Sequence, residues 1–219
     1  MSAAVLTRAV TAAIAEHAQV LRAYRDDGPV AVALGRVLAR VGGPPAIALA
    51  LLAALPLLAA IVVDGADASH ALVAAVVGWA VLAGGLSSGR PLTDRMRWLV
   101  PPVLRALEYS GLIWIAAVAG PSSLPAAFAL LCAIAYHHYD IVYGRRHRGR
   151  VPPRGLQLLG GGWDGRLLLA CAGLLGGALP TGFFVAAAVL AVLFVGASVV
   201  EWSRVEQSRA PDDEEAEVF

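Results

Sequence analysis

The chain has 219 residues, 58% hydrophobic and only 15% charged, with a net charge of +1. A soluble domain carries about 25% charged residues, so a single water-exposed globule is excluded: one core cannot hide this apolar excess, whereas lipid is itself an apolar solvent. The net charge by itself says nothing about partners, but its distribution does; no nucleic-acid partner is expected.

All 17 basic side chains are Arg, and alanine is abundant, which suggests a GC-rich bacterial genome. From the N-terminus, residues 3–41 read as one or two amphipathic helices. Val5, Ala9, Ala12, Ala13, Ala18, Val20 and Leu21 are interleaved with Arg8, Glu16, Arg22 and Arg25. Asp26-Asp27-Gly28-Pro29 breaks the segment, and a second piece runs from Val30 to Val41. A basic amphipathic helix fits a membrane surface; packing on the protein's own loops is the alternative. The first long apolar run begins only near Pro44, beyond the window of roughly 15–30 residues for a signal peptide, so none is expected.

Six apolar runs follow Gly42-Gly43-Pro44-Pro45: Ala46 to Val63, Ala71 to Leu86, Trp98 to Ala119, Leu124 to Tyr143, Leu167 to Leu179 and Phe183 to Val200. A spanning helix needs roughly 20 residues, and the fifth run reaches that only by borrowing Arg166 and its neighbours. Cys132 and Cys171 lie inside these runs and read as small buried hydrophobes. The arginines segregate. They occupy the N-terminal segment, the connections after the second and fourth runs, and the C-terminal tail, and only Arg105 lies within a span. Connections around Asp64 to Ser69, Gly120 to Ser123 and Pro180 to Gly182 carry none. The positive-inside rule then predicts a multi-pass protein of the plasma (inner) membrane with both termini cytoplasmic. The expected fold is all-α: a polytopic membrane bundle of about six transmembrane helices with an N-terminal amphipathic helical segment. Its parts are residues 1–43, the membrane domain 44–204 and an acidic, disordered tail 205–219.

Ionisable groups inside lipid are costly and mark function by default. Arg105 and Glu108 share a face of the third run at i, i+3. They read either as an ion pair that fixes packing, or as an anion holder with an orienting carboxylate. Tyr136-His137-His138-Tyr139-Asp140, continuing to Tyr143, closes the fourth run. His137 and Asp140 share a face and suit acid–base work or metal ligation with a supporting carboxylate; headgroup anchoring is the plainer reading. Arg90, Asp94 and Arg95 precede the third run. Gly160-Gly161-Gly162-Trp163-Asp164-Gly165-Arg166 opens the fifth, either as a phosphate-binding helix start or with Asp164 as an ordinary N-cap. These groups, with Glu201, are expected to line a polar cavity open to the cytoplasm.

The strings WLVPPVLRALEYSGLIWIAA, LPAAFALLCAIAYHHYDIVYG and LLGGGWDGRLLLA resemble an actinobacterial membrane domain of unknown function. That domain is often found C-terminal to a CDP-alcohol phosphatidyltransferase domain, sometimes with a nucleotidyltransferase domain ahead of both. The resemblance covers roughly Val20 to Arg204, and Arg105, Glu108, Tyr109, His137, His138, Asp140, Tyr143 and Arg166 match its recurrent polar pattern. It carries no assigned activity. The chain lacks the D-G-x-x-A-R…G-x-x-x-D-x-x-D signature of the transferases themselves. What the context implies is work on the phospholipid or phosphodiester that such a transferase makes.

The leading expectation is an enzyme of phospholipid or polar-headgroup metabolism that acts on a phosphorylated substrate from the cytoplasmic leaflet, by phosphate-ester hydrolysis or phosphoryl transfer. His137 is the expected acid/base or nucleophile, with Asp140 as its orienter and Glu108 as a second carboxylate. Arg105 and Arg166 form a phosphate clamp, and Tyr109, His138, Tyr143, Arg90 and Arg95 line the substrate. A divalent cation such as Mg would fall to Asp140, Glu108 and Asp164. The partners expected are membrane lipids and a CDP-alcohol phosphatidyltransferase. The alternatives are a non-catalytic lipid-binding or partner module of such a transferase, a transporter or flippase, and an isoprenoid-diphosphate enzyme.

Overall fold

A computed structural model describes residues 5, 7–8, 18–39, 43–148 and 153–207, and every regular element among them is helical. The acidic tail beyond Gln207, most of residues 3–17 and the end of the basic loop at Gly149-Arg150 lie outside the described residues, and the first residues of the expected tail, 205–207, are helical. In chain order the helices are α1 (18–25), α2 (Pro29–Leu38), α3 (Ala46–Val63), α4 (His70–Ser88), α5 (Val100–Ala119), α6 (Leu124–Arg148), α7 (Arg154–Leu159), α8 (Gly162–Leu175) and α9 (Leu179–Gln207).

Among the described residues five segments are long and apolar enough to cross a membrane: Ala46–Val63, His70–Ser88, Arg97–Ala119, Arg154–Leu175 and Leu179–Arg204. That is consistent with a membrane protein. Only 28% of the α9 window and 33% of the α3 window is buried within the protein. Their outer faces carry Leu51, Leu55, Leu58, Val62, Val189, Val192 and Val199, exposed aliphatics that water would penalise and acyl chains accept. Cys132 belongs to such an outer face and is exposed, against expectation; Cys171 is buried, and both are free thiols.

The boundaries follow local chemistry. Pro101 and Pro102 sit in the first turn of α5, where a missing N–H costs nothing, and Ser69 caps α4 by accepting from Leu72 N at 3.2 Å. The sequence misplaces the fifth run. It begins with α7 at Arg154 and ends at Leu175, not Leu179. Gly176 and Gly177 turn the chain there, with Ala178 N bonded back to Gly173 O at 2.9 Å, and α9 starts at once. α6 is 25 residues long yet is not among the five, because Tyr136 to Asp140 make its second half polar.

α3 packs on α4 and α5, α6 pairs with α9, and α8 lies against α4 and α5. The amphipathic segment is built into this bundle. α2 packs on α4 and α8, and Val20, Leu21, Ala23 and Arg25 of α1 are buried. Over residues 18–38, packing on the protein itself is therefore what the structure holds.

Candidate functional site

The polar centre forms around the turn between α1 and α2. Asp26 adopts φ +53°, a left-handed conformation that Asp tolerates better than most residues. The turn is fastened on three sides. Arg25 grips Asp27 through Nε at 2.9 Å and Nη2 at 3.2 Å, and reaches α4 at Ser87 O (3.1 Å) and Ser87 Oγ (2.8 Å). Trp163 of α8 donates its indole N–H to Asp27 Oδ1 at 3.0 Å and its backbone N–H to Asp26 O at 3.1 Å. Gln157 of α7 donates to Ala23 O at 2.9 Å.

The glycines of the Gly160–Gly162 run serve this same junction. Gly161 and Gly162 have φ of +77° and +60°. A Cβ on Gly28 would lie 2.0 Å from Gly161 O, and one on Gly162 would lie 2.1 Å from Gly28 N. Two backbones touch where no side chain fits. The start of α8 is thus covered by the α1–α2 turn, which accounts for the glycines without a phosphate. Asp164 is a cap, but of another helix: it accepts from Gly28 N at 2.6 Å, Val30 N at 3.0 Å and Ala31 N at 2.9 Å at the start of α2. Both its oxygens face these N–H groups.

The fastened turn drives the Asp26 carboxylate, fully buried, into the bundle. Arg166 of α8 donates Nη2 to Asp26 Oδ2 and Nε to Glu108 Oε1, the latter at 2.6 Å. Its Nη1 reaches Gly160 O at 3.2 Å. Arg105 of α5 donates to Glu108 Oε2 at 3.2 Å and to Tyr24 O at 2.7 Å, and stands 3.9 Å from Asp26 Oδ2. His138 of α6 lies between them. Its Nε2 is 3.3 Å from Asp26 Oδ2 and against Arg105 Nη1, and its Nδ1 is 2.8 Å from the Tyr109 hydroxyl. The two contacts of Nε2 call for opposite tautomers: Nε2–H donates to Asp26, whereas a bare Nε2 accepts from Arg105. His137 stacks face to face on Phe194 of α9, with centroids 3.9 Å apart. Its Nε2 is 3.5 Å from Asp26 Oδ1, and neither atom has a hydrogen bond although both are buried.

Two carboxylates and two guanidiniums balance, so the burial of four charges is offset by mutual pairing. For Asp26, burial alone would push the carboxyl up. The Arg166 guanidinium and the two histidines outweigh burial and hold it well below the usual carboxylate range.

Of the residues expected from sequence, Arg105, Glu108, Tyr109, His137, His138 and Arg166 come together. Asp140 does not join them. The pairing expected for His137 falls instead to Asp26, because stacking on Phe194 fixes the ring, while Asp140 accepts from Ser198 Oγ of α9 at 3.3 Å. Tyr143 stacks on Tyr139, with centroids 5.7 Å apart. Arg90 lies beside Gly43, and Arg95 is exposed in the connection ahead of α5. Among the described residues no group of three or more His, Cys, Asp or Glu is placed to hold a metal ion. Both Glu108 oxygens face arginine. The residue that sequence reasoning missed is Asp26, which reads as punctuation in a helix-breaking Asp-Asp-Gly-Pro string.

A groove reaches this cluster. It measures about 170 Å³ and is lined by Tyr24, Pro101, Pro102, Ile141 and Val142, with Arg105 and His138. The Arg105 and His138 side chains are 20% and 12% exposed, whereas those of Asp26 and Glu108 are fully buried.

These features define an all-helical protein with five helices able to cross a membrane and a buried ion network joining an N-terminal turn to three of its helices. The chain belongs to DUF5941, a family of unknown function, which it matches over residues 15–218. No curated protein and no solved structure matches it.

Proposed function

We propose that this protein serves phospholipid or polar-headgroup metabolism by binding the phosphate-bearing end of a membrane lipid in the groove between α1, α5 and α6, with Arg105 as the anchoring cation. The observation that carries this reading is the composition of the groove. Its walls are aromatic, prolyl and aliphatic, and its floor holds the most exposed guanidinium of the ion network. Acyl chains match such walls, and a phosphate oxygen matches a guanidinium N–H. The groove lies at the N-terminal end of α5 and the second half of α6, beside the arginine-bearing connections. Arginine bias supports a cytoplasmic position for that end, with both termini inside and α6 as a sixth span.

Binding is favoured over turnover by how the histidines are held. Both ring nitrogens of His138 are engaged, and His137 is sealed behind Phe194. A lipid-binding module that works beside a CDP-alcohol phosphatidyltransferase fits this arrangement. Phosphate-ester hydrolysis or phosphoryl transfer is the second reading. It is favoured by the His138–Asp26 contact at 3.3 Å, since a carboxylate-oriented imidazole suits general-base work. Neither reading assigns a cation to Glu108, Asp140 or Asp164.

Retention of short-chain lipids by the detergent-purified full chain, measured by native mass spectrometry, tests the proposal. Dihexanoyl-phosphatidylglycerol and dihexanoyl-phosphatidic acid should be retained over dihexanoylglycerol, which has no phosphate, and Arg105→Gln should abolish the preference. Equal retention of all three by the wild type, or an unchanged preference in the variant, contradicts it.

A further inference from the structure

Asp26 belongs to the N-terminal strap, not to a spanning helix, yet its carboxylate has the surroundings of a bound anion. Donors from three helices meet on it: Arg105 from α5, His137 and His138 from α6, and Arg166 from α8. The fit is incomplete. Asp26 Oδ1 and His137 Nε2 face each other at 3.5 Å, both buried and neither hydrogen-bonded. A buried polar atom left unsatisfied is costly, and a planar carboxylate offers only two oxygens to donors that approach from several sides. A tetrahedral group presents oxygens in more directions. Two of these donors, Arg105 and His138, also line the groove, and Arg166 and His137 lie behind them.

Charge narrows the class of ligand. With the histidines counted as neutral at pH 7, Arg105 and Arg166 contribute +2 and Glu108 −1, so the place held by Asp26 is balanced by one negative charge. A phosphodiester carries one; a phosphate monoester near neutral pH carries nearer two.

We propose that Asp26 is an intramolecular stand-in for the phosphodiester of a membrane lipid, and that the α1–α2 turn must withdraw it before Arg105, Arg166, His137 and His138 close on the headgroup. This rests on the lipid-binding reading above and adds to it the ligand class and a built-in competitor. The free protein is then self-occupied, and its apparent affinity is lowered by the fraction of time the turn stays seated.

Asp26→Gly is the test, because glycine suits φ +53° and removes the carboxylate without disturbing Arg25, Asp27 or Asp164. Calorimetric titration of the detergent-purified full chain with dihexanoyl-phosphatidylglycerol should give at least about tenfold tighter binding to the variant than to wild type. The gain for dihexanoyl-phosphatidic acid should be smaller. Dimethyl phosphate, a diester without chains, separates the sources: it should bind the variant far more weakly than the lipid, and equal binding would assign the site to a soluble diester. A folded Asp26→Gly protein that binds the lipid no more tightly than wild type overturns the stand-in. If wild type still prefers phosphate-bearing lipids, the groove reading survives; if neither protein binds any of them, both fail. Should the variant not fold, hydrogen exchange on wild type decides. Saturating dihexanoyl-phosphatidylglycerol should speed exchange at the Gly28, Val30 and Ala31 amides, and unchanged exchange overturns the proposal.

Discussion

Asp164 stands in the first turn of α8 but accepts the backbone N–H of Gly28, 2.6 Å away and 136 positions earlier in the chain. With its bonds to Val30 and Ala31, it satisfies N–H groups at the start of α2 that would otherwise be orphaned. Asp164→Ala is expected to cost at least about 2 kcal/mol, since a lost cap is joined by buried donors with no acceptor. Loss of helicity in an SDS titration measures it. A midpoint within error of wild type contradicts the capping role.

Where two backbones touch, volume decides. Gly28→Ala would put a methyl 2.0 Å from Gly161 O and 2.6 Å from Asp164 Oδ1, and neither atom is the free end of a flexible chain. Gly78→Ala, in α4, meets nothing within 4 Å. The first substitution should lower the thermal midpoint strongly and the second should leave it unchanged or slightly raised. Similar midpoints in the two variants would mean that the α1–α2 turn does not press on α8.

Glu108 joins two arginines. Removing it as Glu108→Ala leaves the buried Arg166 and the partly exposed Arg105 around a single remaining carboxylate, and should cost about 3 kcal/mol. Ser198→Ala, which removes only the hydroxyl beside Asp140, should cost about 1 kcal/mol. SDS unfolding of the two variants compares them. A larger loss from Ser198→Ala would move the polar centre to the α6–α9 pair.

The bundle was legible because lipid imposes long apolar runs, and the Ala46 to Val63 run coincides with α3 residue for residue. The fifth run is misplaced by the sequence because its first half is polar: it holds Arg154 and Gln157, and Asp164 and Arg166 make the α2 cap and the ion pairs, so that its apolarity lies mostly in Leu167 to Leu175. Arg105 with Glu108, and the histidine pair, were legible as charges that lipid rejects. Asp26 was not. Its string Asp-Asp-Gly-Pro signals a turn, and nothing local says which way a turn's carboxylate points. Its partner Arg166 is 140 positions away, beyond any helical periodicity. Asp140 was overvalued for the converse reason, since spacing on α6 shows which residues share a face but not which neighbouring helix that face meets.

Acid should expose the Asp26 pairing. Its carboxyl is held below the ordinary range, so the stability it contributes is present above the unfolded value, about 3.9, and is lost as pH falls below that. From pH 7 to about 5 the contribution of this group to the thermal midpoint should be constant, and below about 4 the midpoint should drop as that contribution is lost. Asp26→Gly should show a shallower acid limb than wild type. Parallel limbs would mean that Asp26 is not ionised in the folded protein.

The central claim, that a lipid phosphate meets Arg105 in the groove, is tested most directly by phosphorus–nitrogen dipolar recoupling. The measurement uses the ¹⁵N-arginine-labelled full chain in phosphatidylglycerol bilayers. The account expects an arginine side-chain signal dephased by lipid phosphorus in wild type and missing in Arg105→Gln. Identical dephasing in the two proteins would contradict it.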